Sequence, residues 1–241
     1  MALTGIPSLL PYKTYISIYN TALNLFLCLS PIILFLNVAK GKEKYTNIPP
    51  LMLVFSTLNN VMWTCYWHLI HELSGFICNF SCGVISTVFL IWYLYYYSQK
   101  NPVKFLLYVV LQLLAELLVI GFFLSRILSL SIIGIILIVV NVLQYIAPAQ
   151  NLAKVIREKN HKLIPIYSTI IGSLCSGGWT LFGFIIADMT CIIPSALGCL
   201  SSIITTLVWC WVYFLYGKKE EEEEKKEDDK NFIEKGDEEE N

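Results

Sequence analysis

The sequence predicts an all-α membrane protein in which seven transmembrane helices form two parallel three-helix bundles joined by a linker helix. Three observations carry that expectation. Apolar runs of about 20 residues, the length that crosses a hydrocarbon core, follow one another along the chain; basic residues gather in alternate loops; and the first half recurs in the second at a shift of 116 positions. Of the 241 residues 56% are hydrophobic and 15% charged, the charged ones crowding into a few short stretches and the last 24 positions. A soluble domain interleaves charge with apolar residues at periods of about 2 or 3.6; these runs do not.

The spans lie near 14–38, 48–70, 74–97, 103–124, 128–152, 163–186 and 191–216, with short loops between them. No basic n-region or small-residue cleavage site precedes the first apolar run, so it reads as a membrane helix. Loops rich in Lys and Arg stay cytoplasmic. Lys40, Lys42 and Lys44 lie in the first loop, Lys100 and Lys104 in the third, Lys154, Arg157, Lys159 and Lys162 in the fifth, and six more in the tail; only Lys13 and Arg126 fall on the other side. That places the N-terminus outside and the C-terminus in the cytoplasm. The tail, 218–241, alternates lysines with blocks such as Glu220–Glu224 and has only Phe232 and Ile233 as bulky apolar residues. It is read as a disordered cytosolic segment.

The repeat aligns unlike residue types. At a shift of 116, Pro49 falls on Pro165, Trp63 on Trp179, Tyr66 on Phe182 and Asn79 on Ser195; Pro31 meets Pro148 at 117 and Gly83 meets Gly198 at 115. The first repeat occupies 14–97 and the second 128–216, with the linker helix at 103–124. One intervening span makes the two repeats enter the membrane in the same direction, related by an axis along the membrane normal, as in some transporters. A substrate then lies between the halves.

A flat aromatic beside neutral hydrogen-bonding groups suits an uncharged solute that presents hydroxyls and apolar faces. Trp179, Asn60, Asn79 and Ser195 supply that chemistry, and Cys175, one turn before Trp179, shares its face. A Trp in a membrane also serves as packing or interface anchor, and an Asn as interhelical glue. Pro31, Pro49, Pro148 and Pro165 stand near the cytoplasmic ends of spans one, two, five and six, where a proline removes a backbone bond and opens a kink. Neighbouring helices tolerate static kinks, but recurrence at matching positions on one side favours a hinge or inner gate. Glu116, the one acidic residue deep in a span, reads as a structural bond from the linker helix to a neighbour. The sequon Asn79-Phe80-Ser81 falls inside span three and is a false match.

The ordered segments Asn20-Thr-Ala-Leu-Asn-Leu-Phe-Leu-Cys-Leu-Ser-Pro31, Tyr145-Ile-Ala-Pro148, Lys154-Val-Ile-Arg157, Leu163-Ile-Pro165 and Leu174-Cys-Ser-Gly-Gly-Trp179 resemble the SWEET family of small-sugar facilitators, over about residues 14–217. The resemblance implies a pocket lined by the span-six tryptophan and by polar residues of spans two, three and seven, positions held here by Trp179, Asn60, Asn79 and Ser195. It also implies an acidic outer-gate residue, Asp188, whose family partner is a tyrosine that aligns with Trp63. The chain departs from the family pattern at Ser195, where an asparagine is usual, and in the spacing of Asn79 from Gly83, four residues against three. Related proteins form homo-oligomers, and the plasma membrane is their commonest setting.

The function expected is bidirectional uniport of a small sugar by alternating access, with the sugar and membrane lipid as partners. No cofactor and no metal are expected: the eight cysteines fall in apolar segments without metal-ligand spacing. Neither a phosphate-binding loop nor a Ser/His/Asp or HExxH constellation points to an ATPase or an enzyme, and nucleic-acid binding has no footprint. A seven-helix receptor shares the topology but not the repeat. The alternative is a PQ-loop-type proton-coupled amino-acid transporter, echoed in Pro148-Ala149-Gln150, which needs an intramembrane carboxylate at its pocket.

Overall fold

A computed structural model describes residues 6–217 apart from positions 49, 99–100, 126, 145, 162–163 and 165. The tail and the expected hinge residues Pro49 and Pro165 therefore lie outside the described residues. A 3-10 segment, Pro7–Tyr12, leads into α1 (Lys13–Leu29) and α2 (Ile32–Ala39); α3 spans Pro50–Leu69, α4 Leu73–Tyr97, α5 Pro102–Leu124, α6 Leu130–Gln144, α7 Ile146–Glu158, α8 Ile166–Ile186 and α9 Met189–Val212. A π-helical turn, Tyr213–Gly217, ends the described chain. Five helical stretches are long and apolar enough to cross a membrane: Ser8–Ala39, α4, α5, α8 and Met189–Gly217. Helix α3, at 20 residues, and α6 continued by α7 complete the seven-span layout. The fifth span runs past its expected end at 152 to Glu158, because α7 carries Lys154 and Arg157 on a polar face that continues the helix into water.

Local chemistry sets the breaks. Pro31 stands between α1 and α2 with φ −67° and ψ −12°, and its ring displaces the backbone bond that would have joined them. Pro148 is the third residue of α7. Asn101 caps α5, its side-chain oxygen accepting from Val103 N at 3.0 Å and Lys104 N at 3.2 Å, with Pro102 at the first helical position, the pairing that helix N-termini favour. Along α5, Leu106, Leu107, Leu111, Leu114, Leu117 and Leu118 are all exposed. A helix apolar on its outer faces needs a lipid surrounding.

The packing is two-fold in plan. Helix α4 packs against both α3 and α1, and α9 packs against both α8 and the α6–α7 span. Across the seam α1 meets α8, and α6 meets α3; exchanging the halves maps each contact onto the other. The linker α5 lies on α3 and α4, against the first half. Backbone geometry repeats as well: His71 and Ala187, 116 positions apart, both have φ of 58°, and the next residues, Glu72 and Asp188, are extended N-caps of α4 and α9.

Close approach of helices falls on glycine. A Cβ on Gly75 would overlap the Trp67 ring, and one on Gly178 would overlap the Asn20 amide from α1.

Candidate functional site

At the seam a cavity of about 220 Å³ is walled by helices of both halves. The substrate-binding residues expected from the sequence, Asn60, Asn79, Cys175, Trp179 and Ser195, all stand on its wall. The structure adds Asn24, Asn59, Asn141 and Ser176. These residues are repeat mates: 24 and 141, 59 and 175, 60 and 176, 63 and 179, and 79 and 195 are separated by 116 or 117 positions, and all ten line the cavity. None of the described wall residues is charged.

Two side-chain to side-chain polar contacts cross the seam at this level, and they are mates too. Asn141 Nδ2 on α6 donates to Asn59 Oδ1 on α3 at 3.3 Å, and Cys175 Sγ on α8 approaches Asn24 Oδ1 on α1 at 3.8 Å. Asn60 Nδ2 donates to Ser86 Oγ at 3.3 Å and to Ser56 O at 2.9 Å, while Asn79 Nδ2 donates to Gly75 O at 3.1 Å. Among the described residues no donor meets the side-chain oxygen of Asn60 or Asn79, and both residues border the cavity. Each carbonyl remains an acceptor for a hydroxyl.

Toward the end of the molecule that bears the α3–α4 and α8–α9 loops, an aromatic stack bounds the cavity. Trp67 lies between Trp63 and Trp179, with centroids 5.5 and 5.9 Å away and both rings tilted by 29°; Phe182 meets Trp179 edge-on at 5.4 Å. Beyond the stack two polar closures lie at the same end. Tyr66 Oη donates to both Asp188 carboxylate oxygens, at 3.0 and 3.1 Å, and Asp188 Oδ1 also accepts Thr190 N at 2.9 Å, capping α9. Lys13 Nζ pairs with Glu72 Oε2 at 2.6 Å and stands 5.9 Å from the Phe182 ring centroid.

The expected partner of Asp188, Trp63, is corrected by this geometry: the hydrogen bond comes from Tyr66. Trp63 sits one turn deeper on α3, where its indole lines the cavity, stacks on Trp67 and meets Tyr66 edge-on at 5.6 Å. The repeat register already carried the signal, since it aligns Trp63 with Trp179, a cavity residue, and not with a gate. The same register, at the 117 shift of Pro31 and Pro148, aligns Asn24 with Asn141. At the opposite end Pro31 marks the α1–α2 break and Pro148 lies near the start of α7. Glu116 bonds to Thr87 of α4, as a structural link from the linker helix would.

Comparison with known proteins gives concordant matches. The family model described as "Sugar efflux transporter for intercellular exchange" matches residues 131–221. "Sugar transporter SWEET1" of Mus musculus is 29% identical over 168 residues, 68% of this chain and 75% of that protein. "Bidirectional sugar transporter SWEET1" of Arabidopsis thaliana is 24% identical over 208 residues, 84% of this chain and 83% of its own length. Among solved structures, that of a eukaryotic SWEET transporter superposes with a TM-score of 0.72 at 21% identity, covering 83% of this chain and 96% of that one. The last match speaks for the fold: an all-α, multi-pass membrane protein of two three-helix bundles and a linker.

Proposed function

We infer from the chain's kinship with the SWEET sugar transporters that it carries sugar across a membrane, as a transporter and not an enzyme. The finer reading is bidirectional uniport by alternating access. Its main support is the seam cavity, a neutral chamber of repeat-related amides, hydroxyls and indoles with no carboxylate, imidazole or amine among its described wall residues to couple transport to protons. A sugar ring lays its apolar face against Trp179 or Trp63, and its hydroxyls meet the open carbonyls of Asn60 and Asn79. At about 220 Å³ the chamber is smaller than the roughly 300–1,000 Å³ of sites for drug-sized ligands, which favours a monosaccharide over a disaccharide.

In this reading Tyr66–Asp188 and Lys13–Glu72 close the extracellular end, and Pro31, Pro49, Pro148 and Pro165 serve as hinges at the cytoplasmic end. The repeats 14–97 and 128–216 then rock about the linker 103–124. Basic loops put the N-terminus outside and the tail, 218–241, in the cytoplasm, with the plasma membrane as the proposed location and a homo-oligomer as the proposed assembly.

Purified protein in liposomes tests the reading. Labelled glucose should enter and exchange equally in both directions, unaffected by a pH gradient, and more readily than sucrose. Accumulation of amino acids only under a pH gradient would replace uniport with the PQ-loop alternative.

A further inference from the structure

On the other side of α3 lies a second cavity, of about 540 Å³, between α3, α4 and α5. The α3 sequence separates the two. Asn59, Asn60, Trp63 and Trp67 border the seam cavity, whereas Val61, Thr64, Cys65 and His68 form a stripe on this one, each set at the i, i+3, i+4, i+7 spacing or close to it. The second wall is mainly apolar, and three of its α4 residues, Phe80, Val84 and Val88, are more than half exposed. It is a slot open to the hydrocarbon.

One carboxyl group reaches into that slot. Glu116 Oε1 accepts from Gln112 Nε2 at 3.0 Å, within α5, and from Thr87 Oγ1 at 3.4 Å, on α4. Both donors are neutral and both use the same oxygen. Among the described residues the ion pairs are Lys13–Glu72 and Arg157–Glu158, so Glu116 has no cation of its own there. A carboxylate at membrane depth is costly unless a counter-charge or donors compensate it, and this one is met only in part. His68, the basic side chain on the described wall, stands at the opposite end, its ring 6.1 Å from that of Phe76, and Cys65 adds a thiol on α3. From Phe76 to Val88 the slot follows about 18 Å of α4, at roughly 1.5 Å per residue.

We propose that this slot binds an elongated amine dissolved in the membrane, its apolar body along α4 and its ammonium on Glu116. An alcohol of the same shape would add a third neutral donor without compensating charge, and a fatty acid would set like charges together. A charge-assisted bond is about twice as strong as a neutral one, so the carboxyl should select the amine.

The full chain in nanodiscs, labelled with a photoactivatable long-chain primary amine or with the matching alcohol or carboxylic acid, tests this. The amine should label peptides of α4 and α5 at least about tenfold more than the alcohol, a difference that corresponds to about 1.4 kcal/mol. Glu116→Gln should abolish that preference, and Val84→Trp, which fills the slot, should lower labelling by all three probes. Equal labelling by amine and alcohol, or an amine preference that survives Glu116→Gln, overturns the proposal. So does protection of the slot by cross-links to a second copy of the chain. Labelling is read without sugar, so its outcome is independent of the transport assignment.

Discussion

The two halves of the molecule share a backbone plan but divide its chemistry unequally. At cavity level the first half contributes four amides, Asn24, Asn59, Asn60 and Asn79; at the matching positions the second has Asn141, Cys175, Ser176 and Ser195. Beyond the aromatic stack the roles are complementary. Tyr66 is the donor and its mate Phe182 has no hydroxyl; Asp188 is the acceptor, and its mate Glu72 is taken by Lys13. Packing is exchanged too: Trp67 fills the space over Gly75, while Gly183, the mate of Trp67, leaves room for Ile192. Symmetry thus supplies the chamber, and asymmetry keeps one of the two closures it could have made. Identical halves would have carried the tyrosine–acid pair twice, once on each side; here it occurs once, and the other acid, Glu72, pairs with Lys13.

The largest effect should come from the residues the halves share. Trp179→Ala and Trp63→Ala each remove one indole bordering the chamber, and sugar exchange in liposomes should be abolished in the first and reduced at least about tenfold in the second. Loss of stacking area combines here with a void: truncation of a large buried aromatic costs about 3–5 kcal/mol. Normal flux in Trp63→Ala alongside none in Trp179→Ala would show that the sugar uses one half's wall only. Normal flux in both would place the path elsewhere.

A smaller effect should follow where the halves differ. Tyr66→Phe makes the first half like the second at this position and removes the bond to Asp188. Hydrogen bonds to charged groups contribute about 1.5–3 kcal/mol, so the closed end should open roughly 10- to 100-fold more often. Alkylation of Cys175 and Cys191 by a membrane-impermeant thiol reagent, applied from the N-terminal side, measures that opening. An unchanged alkylation rate would mean that Tyr66–Asp188 does not hold the end shut. Phe182→Tyr, which gives the second half the same hydroxyl, should leave the rate nearly unaltered, because its mate acid Glu72 is already engaged by Lys13.

Most of the architecture was legible because membrane helices declare themselves by length and because a repeat constrains every position twice. The residues that the register ties together, such as Trp63 with Trp179 and Asn79 with Ser195, do face one chamber. What escaped was set by helical phase. Trp63 and Tyr66 are three residues apart, nearly a full turn, and the resemblance put Trp63 opposite Asp188; the deeper position of Trp63 leaves that bond to Tyr66. Asn24, Asn59 and Asn141 were equally polar on paper, and only the crossing of α1 with α8 and of α3 with α6 shows that they meet partners across the seam. Lys13–Glu72 joins positions 59 residues apart, a pairing that neither the repeat nor local spacing encodes.

That ion pair should give the smallest effect. Lys13 and Glu72 side chains are 32% and 13% exposed, so water screens the lysine in part, and exposed pairs are worth about 0–1 kcal/mol. Lys13→Met keeps the apolar stem over Phe182 and removes the charge; Glu72→Gln keeps the shape of the loop residue. Each should raise Cys191 alkylation by at most about fivefold, and adding salt to the wild type should move it in the same direction. A double variant no more reactive than either single one would show that the two residues act as a pair. An effect as large as that of Tyr66→Phe would instead give the first half's acid an equal share in closing the end, and would make the two halves more alike in use than they are in sequence.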